Sequence, residues 1–530
     1  MGTLDWGILI LYILLIIGMS AWLGKKQESR EDYYLGGRRM PPWQISLSIV
    51  ATQVSAISLI GAPAFVALKA NGGLIWLQYE FAIPLAMMLI MLTLVPIYHR
   101  VRGITIYQYL EDRFGKTVRW FISMVFLISR GLGSGVALLA TGIVTAVVLD
   151  WPLAETILLI GFVSIAYTTF GGIKADIYSD IIQLIILWGG SLLVIGVLIT
   201  DINWATFSFT AADQLRLKVF DLSTTGLGDG NTFAFWPMLI GGFFLYLSYY
   251  GCDQSQAQRL LTTSTPEEAQ KALLINGVLR FPLVLTYSSI GILMLPFLNS
   301  HPEFVSKLQG QQPDFLLPYF LIDYIPVGFL GLIIAGFFAA SMSSLDSAMN
   351  SLSAATYQDF LIKIFPRLEN LSNKQQIRLS RILTVFWGGF ATVFALELIG
   401  GSETVIELVN KIGSAFYGPI LAIFWLGMFT RSTTAAGAII GVLGGVGTNI
   451  FLWQNYSNEV SWLWWNVIGF LVSFLIALAV SRFIKTKAPR ISPELYLTTK
   501  DIKIYLSKQK NQYRSLGAWF VLIILFSWLL

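Results

Sequence analysis

Apolar runs of about 20 residues, the length one helix needs to cross a bilayer, recur along the whole chain and constrain its fold more than any other feature. Fourteen candidate spans can be drawn, at about 4–24, 44–68, 75–98, 119–149, 153–170, 177–200, 234–252, 273–297, 325–355, 379–400, 409–429, 434–454, 461–482 and 515–530. The last is short. In hydrocarbon the backbone must satisfy its own hydrogen bonds, and these runs are too long and continuous for barrel strands. The expectation is an all-α polytopic membrane protein. Only 12% of the 530 residues are charged, against roughly 25% in a soluble domain, and those charges fall almost entirely between the runs. The net charge of +5 therefore reads as topology and not as a nucleic-acid surface. One cysteine, Cys252, excludes an internal disulfide and a cysteine-rich metal site. The two histidines, His99 and His301, each stand near a helix end or loop. The first run passes into "GKKQESREDYY" without a small-residue cleavage site, so it reads as a retained helix.

Basic residues set the expected orientation. Lys25, Lys26, Arg30, Arg38 and Arg39 follow the first span; Arg100, Arg102, Arg113, Lys116 and Arg119 follow the third. Lys363, Arg367, Lys374, Arg378 and Arg381 follow the ninth, and a basic stretch from Arg482 to Arg514 follows the thirteenth. Every second loop is basic. Cytoplasmic placement of these loops puts both termini outside the cell membrane. The pieces 201–233, 298–324 and 483–514 are too small for an independent core. The last reads as a surface helix or as a basic stretch lying on anionic headgroups.

Two spans look interrupted. The second, "ISLSIVATQVSAISLIGAPAFVALKA", carries Thr52, Gln53, Ser55 and Ser58 in its middle, then Gly61 and Pro63. Five spans later "TFAFWPMLIGGFFLYLSYYGC" carries Pro237 and Gly241–Gly242. Interrupted segments at matching places in two halves mark an inverted-repeat transporter, and an odd spacing of five spans gives the halves opposite facing. Glycine and proline are also common in ordinary membrane helices. In "SMSSLDSAMNS", Ala340, Ser343, Ser344, Ser347, Asn350 and Ser351 share one helical face, with Asp346 beside it. Small residues so spaced can simply pack helices closely. An intramembrane carboxylate, however, is a functional-site hypothesis by default. Hydroxyls, carbonyls and carboxylates are the hard ligands of a hard cation, and sodium fits this set better than a transition metal.

At these residues the chain resembles the solute:sodium symporter family, whose members include bacterial sugar, proline and sialic acid transporters. The resemblance runs from "EDYYLGGRRMPPW" (31–43) through "ITIYQYLEDRFG" (104–115), "FGGIKADIYSDIIQ" (170–183) and "DQSQAQRLL" (253–261) to "SMSSLDSAMNSLSAATYQDF" (341–360). It implies a LeuT-like core of two inverted five-helix repeats. Residues 1–43 would form a leading helix and basic loop, 44–200 the first repeat, 201–429 the second with its extracellular lead-in, and 430–530 accessory helices. It also implies a sodium-coupled carrier, not an enzyme, that works by alternating access as a monomer. A first sodium site would use Ala51, Val54, Ala340, Ser343 and Ser344, and a second Asp180, Asp346 and Ser347. Two alternatives stay open for the second site. Asp180 could instead pair with Lys174 near the cytoplasmic surface, and Asp346, serine in the sialic acid carriers, could hold a proton.

The resemblance places the solute between the interrupted helices at Gln53, Ser55, Ser58, Gln78, Glu80, Arg130, Tyr246 and Asn410, with Tyr79 and Tyr249 as gates. Gln78 matches a sialic acid contact and Glu80 a sugar contact. Tyr246 replaces a sugar-binding Asn, which weakens a galactose-like reading. Arg130 lies half-way along its span, too deep to snorkel easily, and its guanidinium suits a carboxylate; pairing with Glu80 or another acid is the structural alternative. Arg280 reads as mainly structural. A carboxylate-bearing solute, such as a sialic acid or another organic acid, is favoured over a neutral sugar or polyol. A channel or sensor on the same fold is the alternative of another class, and no buried histidine supports an enzyme.

Overall fold

The computed structural model describes residues 1–53, 56–202, 209–311, 313–399, 405–484 and 492–530. Its elements are helices, and among the described residues the only β pairing is an isolated bridge between Leu227 and Val460. Among the described residues eleven helices are long and apolar enough to cross a membrane, or twelve when the bent pair Pro42–Gln53 and Ser58–Ala67 is counted as one span. Ten helices build and hold the centre of the molecule: α1 (Thr3–Gly24), α2 (Pro42–Gln53), α3 (Ala56–Ala67), α4 (Lys116–Leu149), α5 (Leu153–Asp201), α6 (Gly242–Cys252), α7 (Gln254–Leu260), α8 (Pro266–Ser300), α9 (Phe329–Ala355) and α10 (Val405–Phe429).

The count of fourteen expected spans differs from this for two physical reasons. First, 153–170 and 177–200 merge into the 49-residue α5. At 1.5 Å per residue a straight helix of that length would run about 74 Å, more than twice the hydrocarbon thickness. The run is broken instead at Gly172, which adopts φ 56°, ψ −162°. A β-carbon there would lie 2.6 Å from the Tyr33 carbonyl oxygen, so both the backbone sign and the close approach demand glycine. Second, the segment expected at 234–252 is short: a π-helical turn, Pro237–Gly241, leads into α6. Gly241–Gly242 is thus passed without a break. The interruption comes at Asp253, extended at φ −87°, ψ 123°, whose carboxylate caps α7 by accepting from Ser255 N at 2.8 Å and Ser255 Oγ at 2.5 Å.

The first interruption is sharper. α2 and the following helix, with Pro63 inside it, are bent by 55°. α9 lies at the centre of the described helices, packed against α1, α2, α4, α5 and α7, and its middle is almost wholly buried from Ile333 to Ala340 and again from Leu345 to Ala355. α1 is anchored to it by one carboxylate: Asp5, fully buried, accepts from Gly328 N at 2.7 Å, Gly331 N at 2.8 Å and Gly2 N at 2.8 Å. These are N–H groups at the start of α9 and of α1, which have no helical partner of their own. The outer faces of α1 and of the helix Lys510–Leu529 remain apolar and uncovered, with Leu14, Leu15, Leu525 and Trp528 exposed, as lipid-facing surfaces should be.

Gly172→Val is expected to lower the unfolding midpoint in detergent through a loss of about 2 kcal/mol or more, from left-handed strain plus the clash with Tyr33. A thermal-shift measurement beside a Gly189→Ala control, where a β-carbon meets open space, checks this.

Candidate functional site

The described part of α2 runs to Gln53, beside the 55° bend to the next helix, and the carbonyls of its last described turn face α9. The hydroxyls of α9 meet them. Ser343 Oγ lies 3.1 Å from Ala51 O and 3.3 Å from Ala340 O, and Ser344 Oγ lies 3.1 Å from Thr52 O. Carbonyl and hydroxyl oxygens thus converge where an interrupted helix crosses the central one. Of the five expected first-site residues, Ala51, Ala340, Ser343 and Ser344 are brought together, and Val54 lies outside the described residues. The Thr52 carbonyl is an addition that side-chain pattern alone could not reveal. Among the described residues no three His, Cys, Asp or Glu gather as metal ligands, which leaves neutral oxygens as the available donor set here.

About one turn further along α9 stands a charged cluster. Ser347 Oγ donates to Ser343 O at 2.6 Å and lies 3.2 Å from Thr52 Oγ1. Asp346 is fully buried, accepting at Oδ2 from Tyr167 OH at 2.5 Å and at Oδ1 from Ser347 N at 2.5 Å and Ser347 Oγ at 3.1 Å. Asp180 is also fully buried, and Ser48 Oγ donates to its Oδ2 at 2.5 Å. Its ionic partner is Arg259 at 3.0 Å, not Lys174. Asp176 completes the group, accepting from Asn350 Nδ2 at 2.8 Å.

Between the interrupted helices lies a cavity of about 200 Å³. Of the expected solute residues, Gln53, Ser58, Arg130, Tyr246 and Asn410 line it, as do the gate tyrosines Tyr79 and Tyr249 and the ion-site residue Ser344. Ser55 lies outside the described residues. Two expected residues are not on its wall. Gln78 is buried and spent on the protein: its amide donates to Ile75 O at 3.1 Å and accepts from Asp221 N at 3.1 Å, pinning the segment that leads to Phe233. Glu80 is consumed by Arg280, at 3.1 Å, and receives Tyr246 OH at 3.5 Å. The pairing of Glu80 with Arg130 entertained from sequence is therefore not the one made.

Arg130 faces Asp253, Tyr249 and Tyr417 instead, and its Nε has no hydrogen-bond partner among the described residues. Arg280 also lines the cavity, and its Nη1 likewise has no partner there. Sequence reasoning treats Arg280 as structural. The signal that it is also a wall residue is its depth in α8, which obliges a charge to face protein or water. Aromatic rings close the space, with Tyr79 against Tyr246 at 4.6 Å and Tyr249 against Tyr417 at 5.9 Å between centroids. A second cavity of about 350 Å³ shares Ser58, Trp76, Arg280 and Asn410 with the first and continues to Lys69, Asp314 and Trp462. The cavities form one route toward the loops after α3 and before the helix Trp462–Phe483. On the opposite side Asp253, Tyr249 and the Gln256–Tyr249 hydrogen bond, 2.9 Å, form the floor.

Residues 33–445 match the family model described as the sodium:solute symporter family. The chain is 27% identical to the sodium/sialic acid symporter NanT of Aliivibrio fischeri, over 90% of this chain and 92% of that protein. It is 30% identical to the sodium-coupled monocarboxylate transporter 2 of Bos taurus, over 80% of this chain and 67% of that one. A solved Na+-coupled sialic acid symporter, substrate-bound and outward-open, superposes with a TM-score of 0.79 at 23% identity, covering 92% of this chain and 99% of that structure. The fold is the LeuT-like one of two inverted five-helix repeats with flanking helices.

Removing one member of the Glu80–Arg280 pair leaves a buried charge alone, which costs about 3–5 kcal/mol. Glu80→Gln and Arg280→Met should each lower the unfolding midpoint sharply, and the double variant should recover part of the loss. Additive losses in that cycle would show that the two charges do not depend on one another.

Proposed function

We propose that this chain, which belongs to the sodium:solute symporter family, imports a small carboxylate-bearing solute by coupling it to inward sodium movement through alternating access. The observation that carries the reading is adjacency. Ser344 belongs both to the oxygen cluster at the end of α2 and to the wall of the central cavity. A sodium ion held there ties α2 to α9 and fixes the cavity wall that the solute then meets. Each ligand thereby favours the other, which is the reciprocity that coupling requires. The first sodium is assigned to Ala51, Ala340, Ser343 and Ser344, with Val54 as the family's further ligand. A second cation is assigned to Asp180, Asp346 and Ser347.

The solute class rests on two guanidinium groups with free N–H donors on one cavity wall, Arg130 and Arg280. A planar guanidinium takes a carboxylate through two parallel hydrogen bonds. Sialic acid and monocarboxylates, which the similar proteins carry by name, both bear that group. A neutral sugar or polyol is disfavoured because Glu80, the residue matched to a sugar contact, is spent on Arg280. With the N-terminus outside, the route past Trp76 to Lys69 faces the exterior and the floor at Asp253 faces the cytoplasm. The repeats are assigned to 44–200 and 201–429, and one chain contains every assigned ligand, so the working unit is a monomer in the cell membrane.

Uptake into proteoliposomes is expected to require sodium. Ser343→Ala should raise the half-saturating sodium concentration about tenfold, equivalent to a ligand worth ~1.4 kcal/mol. Unchanged sodium dependence in a folded variant would reduce the serine stripe to packing. Small carboxylates should inhibit uptake and their amides should not, and Arg130→Lys should weaken solute binding because the bidentate fork is lost. Better competition by neutral hexoses, with normal transport by Arg130→Lys, would return the sugar reading.

A further inference from the structure

Arg259 is fully buried and uses every nitrogen of its guanidinium. Nε donates to Ser48 Oγ at 2.7 Å, Nη1 to Ser255 O at 2.7 Å, and Nη2 to Asp180 Oδ2 at 3.0 Å and to Ser347 Oγ. The last two acceptors are side chains assigned to the second cation. A positive charge therefore already stands between them, and it is covalently part of the chain. Of three buried carboxylates, Asp176, Asp180 and Asp346, only Asp180 touches the guanidinium, which acts on the other two at longer range. Asp180 Oδ1, Asp176 Oδ1 and both amide atoms of Gln183 are buried with no hydrogen-bond partner among the described residues. The cluster thus keeps oxygen ligands to spare while being short of positive charge. That combination is expected of a cation site whose guanidinium is one of its possible occupants.

The position of Arg259 in the chain makes it a movable occupant. It lies on α7, which follows α6 after the extended Asp253 and is tied to it by the Gln256–Tyr249 hydrogen bond. α6 carries Tyr246 and Tyr249 on the cavity wall, so rearrangement of that wall is transmitted to Arg259. We infer that Arg259 is a tethered counter-cation that competes with free sodium for Asp180 and Ser347. With the guanidinium inserted, as here, the site is partly neutralised without an ion, and the cytoplasmic side is stitched shut from α2 through α5 to α9. When α7 withdraws, sodium takes the vacated oxygens. The buried pair is replaceable because its desolvation cost nearly offsets its attraction, so a hard ion on hard ligands can exchange with it. Arg259 thus allows the carrier to return empty. The inference rests on the second-cation reading of Asp180 and Ser347.

The test titrates sodium against the thermal stability of the purified full-length carrier, without solute and at constant ionic strength, for wild type, R259K and R259Q. It also measures sodium-to-solute flux ratios in proteoliposomes for wild type, R259Q and D180N. A guanidinium that fills the site nine-tenths of the time weakens sodium about tenfold, since apparent affinity scales with the open fraction. R259Q should therefore bind sodium about tenfold more tightly. R259K, which keeps the charge but loses the fork, should fall between, about threefold tighter than wild type on the same scaling. Solute exchange with sodium on both sides should survive in R259Q while net uptake falls, because the empty return is what the tether serves. D180N should lower the sodium-to-solute ratio by one. If D180N does so while neither Arg259 variant shifts the sodium midpoint, the second site stands and the tether is overturned. If D180N leaves the ratio unchanged, the second site itself is overturned and the tether with it. Should R259Q not fold, R259K decides alone: a threefold tightening supports competition and an unmoved midpoint overturns it.

Discussion

Everything in this molecule depends on how a backbone interrupted inside the membrane is satisfied. A helix that ends at mid-depth exposes carbonyl dipoles where lipid offers no donor, so protein or a bound ion must meet them. At the end of α2 the partners are the hydroxyls of α9, and at Asp253 the carboxylate itself caps the next helix. These two interruptions create the cavity, and the cost of buried charge decides what lines it. Each deep arginine is answered. Arg280 is paired by Glu80, Arg259 by Asp180, and Arg130 faces Asp253. At the edge of the core Arg119 is clamped by Asp359 and Glu111.

The helical class, the shared face of the serine stripe and the depth of Arg130 were all legible in the sequence, because hydropathy and helical periodicity are local properties. Pairing is not local. Glu80 and Arg280 are separated by 200 positions and Asp180 and Arg259 by 79, so no pattern within a span shows which charge will answer which. Glu80 therefore reads from sequence as a solute contact, and the ionic alternative for Asp180, read as a second-cation ligand, names the nearby Lys174 where the structure has Arg259. Gln78 misled in the same way, since its demand comes from the backbone of a distant loop, at Asp221. The break in α5 was bracketed by the runs 153–170 and 177–200, but either glycine of "FGGIK" could carry it; only the positive φ of Gly172 against Tyr33 reveals the turn. In the second interrupted segment the eye was drawn to Gly241–Gly242, where a π-helical turn absorbs the irregularity. The break falls instead on Asp253, an acidic residue that can cap α7.

The carbonyl and hydroxyl cluster at the end of α2 and the central cavity share a wall through Ser344, and the charged cluster one turn away shares α9 with both. Coupling over so short a distance needs no extended relay. α9 is buried along its middle and packed on several sides, against α1, α2, α4, α5, α7 and the helix Asn373–Glu397 among others, while the bends lie in the helices interrupted beside it.

The attachment of α1 to α9 through Asp5 has a consequence for how the chain is made. The N–H groups that Asp5 accepts belong to Gly328 and Gly331, more than three hundred residues downstream. At roughly 5–20 residues per second of synthesis, the first helix waits about a quarter of a minute to a minute before its docking surface emerges. α5, which also packs against α1, emerges earlier, but throughout that interval the Asp5 carboxylate has none of its α9 partners and is kept near the helix end where water can reach it. A charge placed two turns deeper would be stranded in lipid during the wait. The position of Asp5, in the first turn and not in the middle of the helix, therefore suits the nascent chain as well as the mature one.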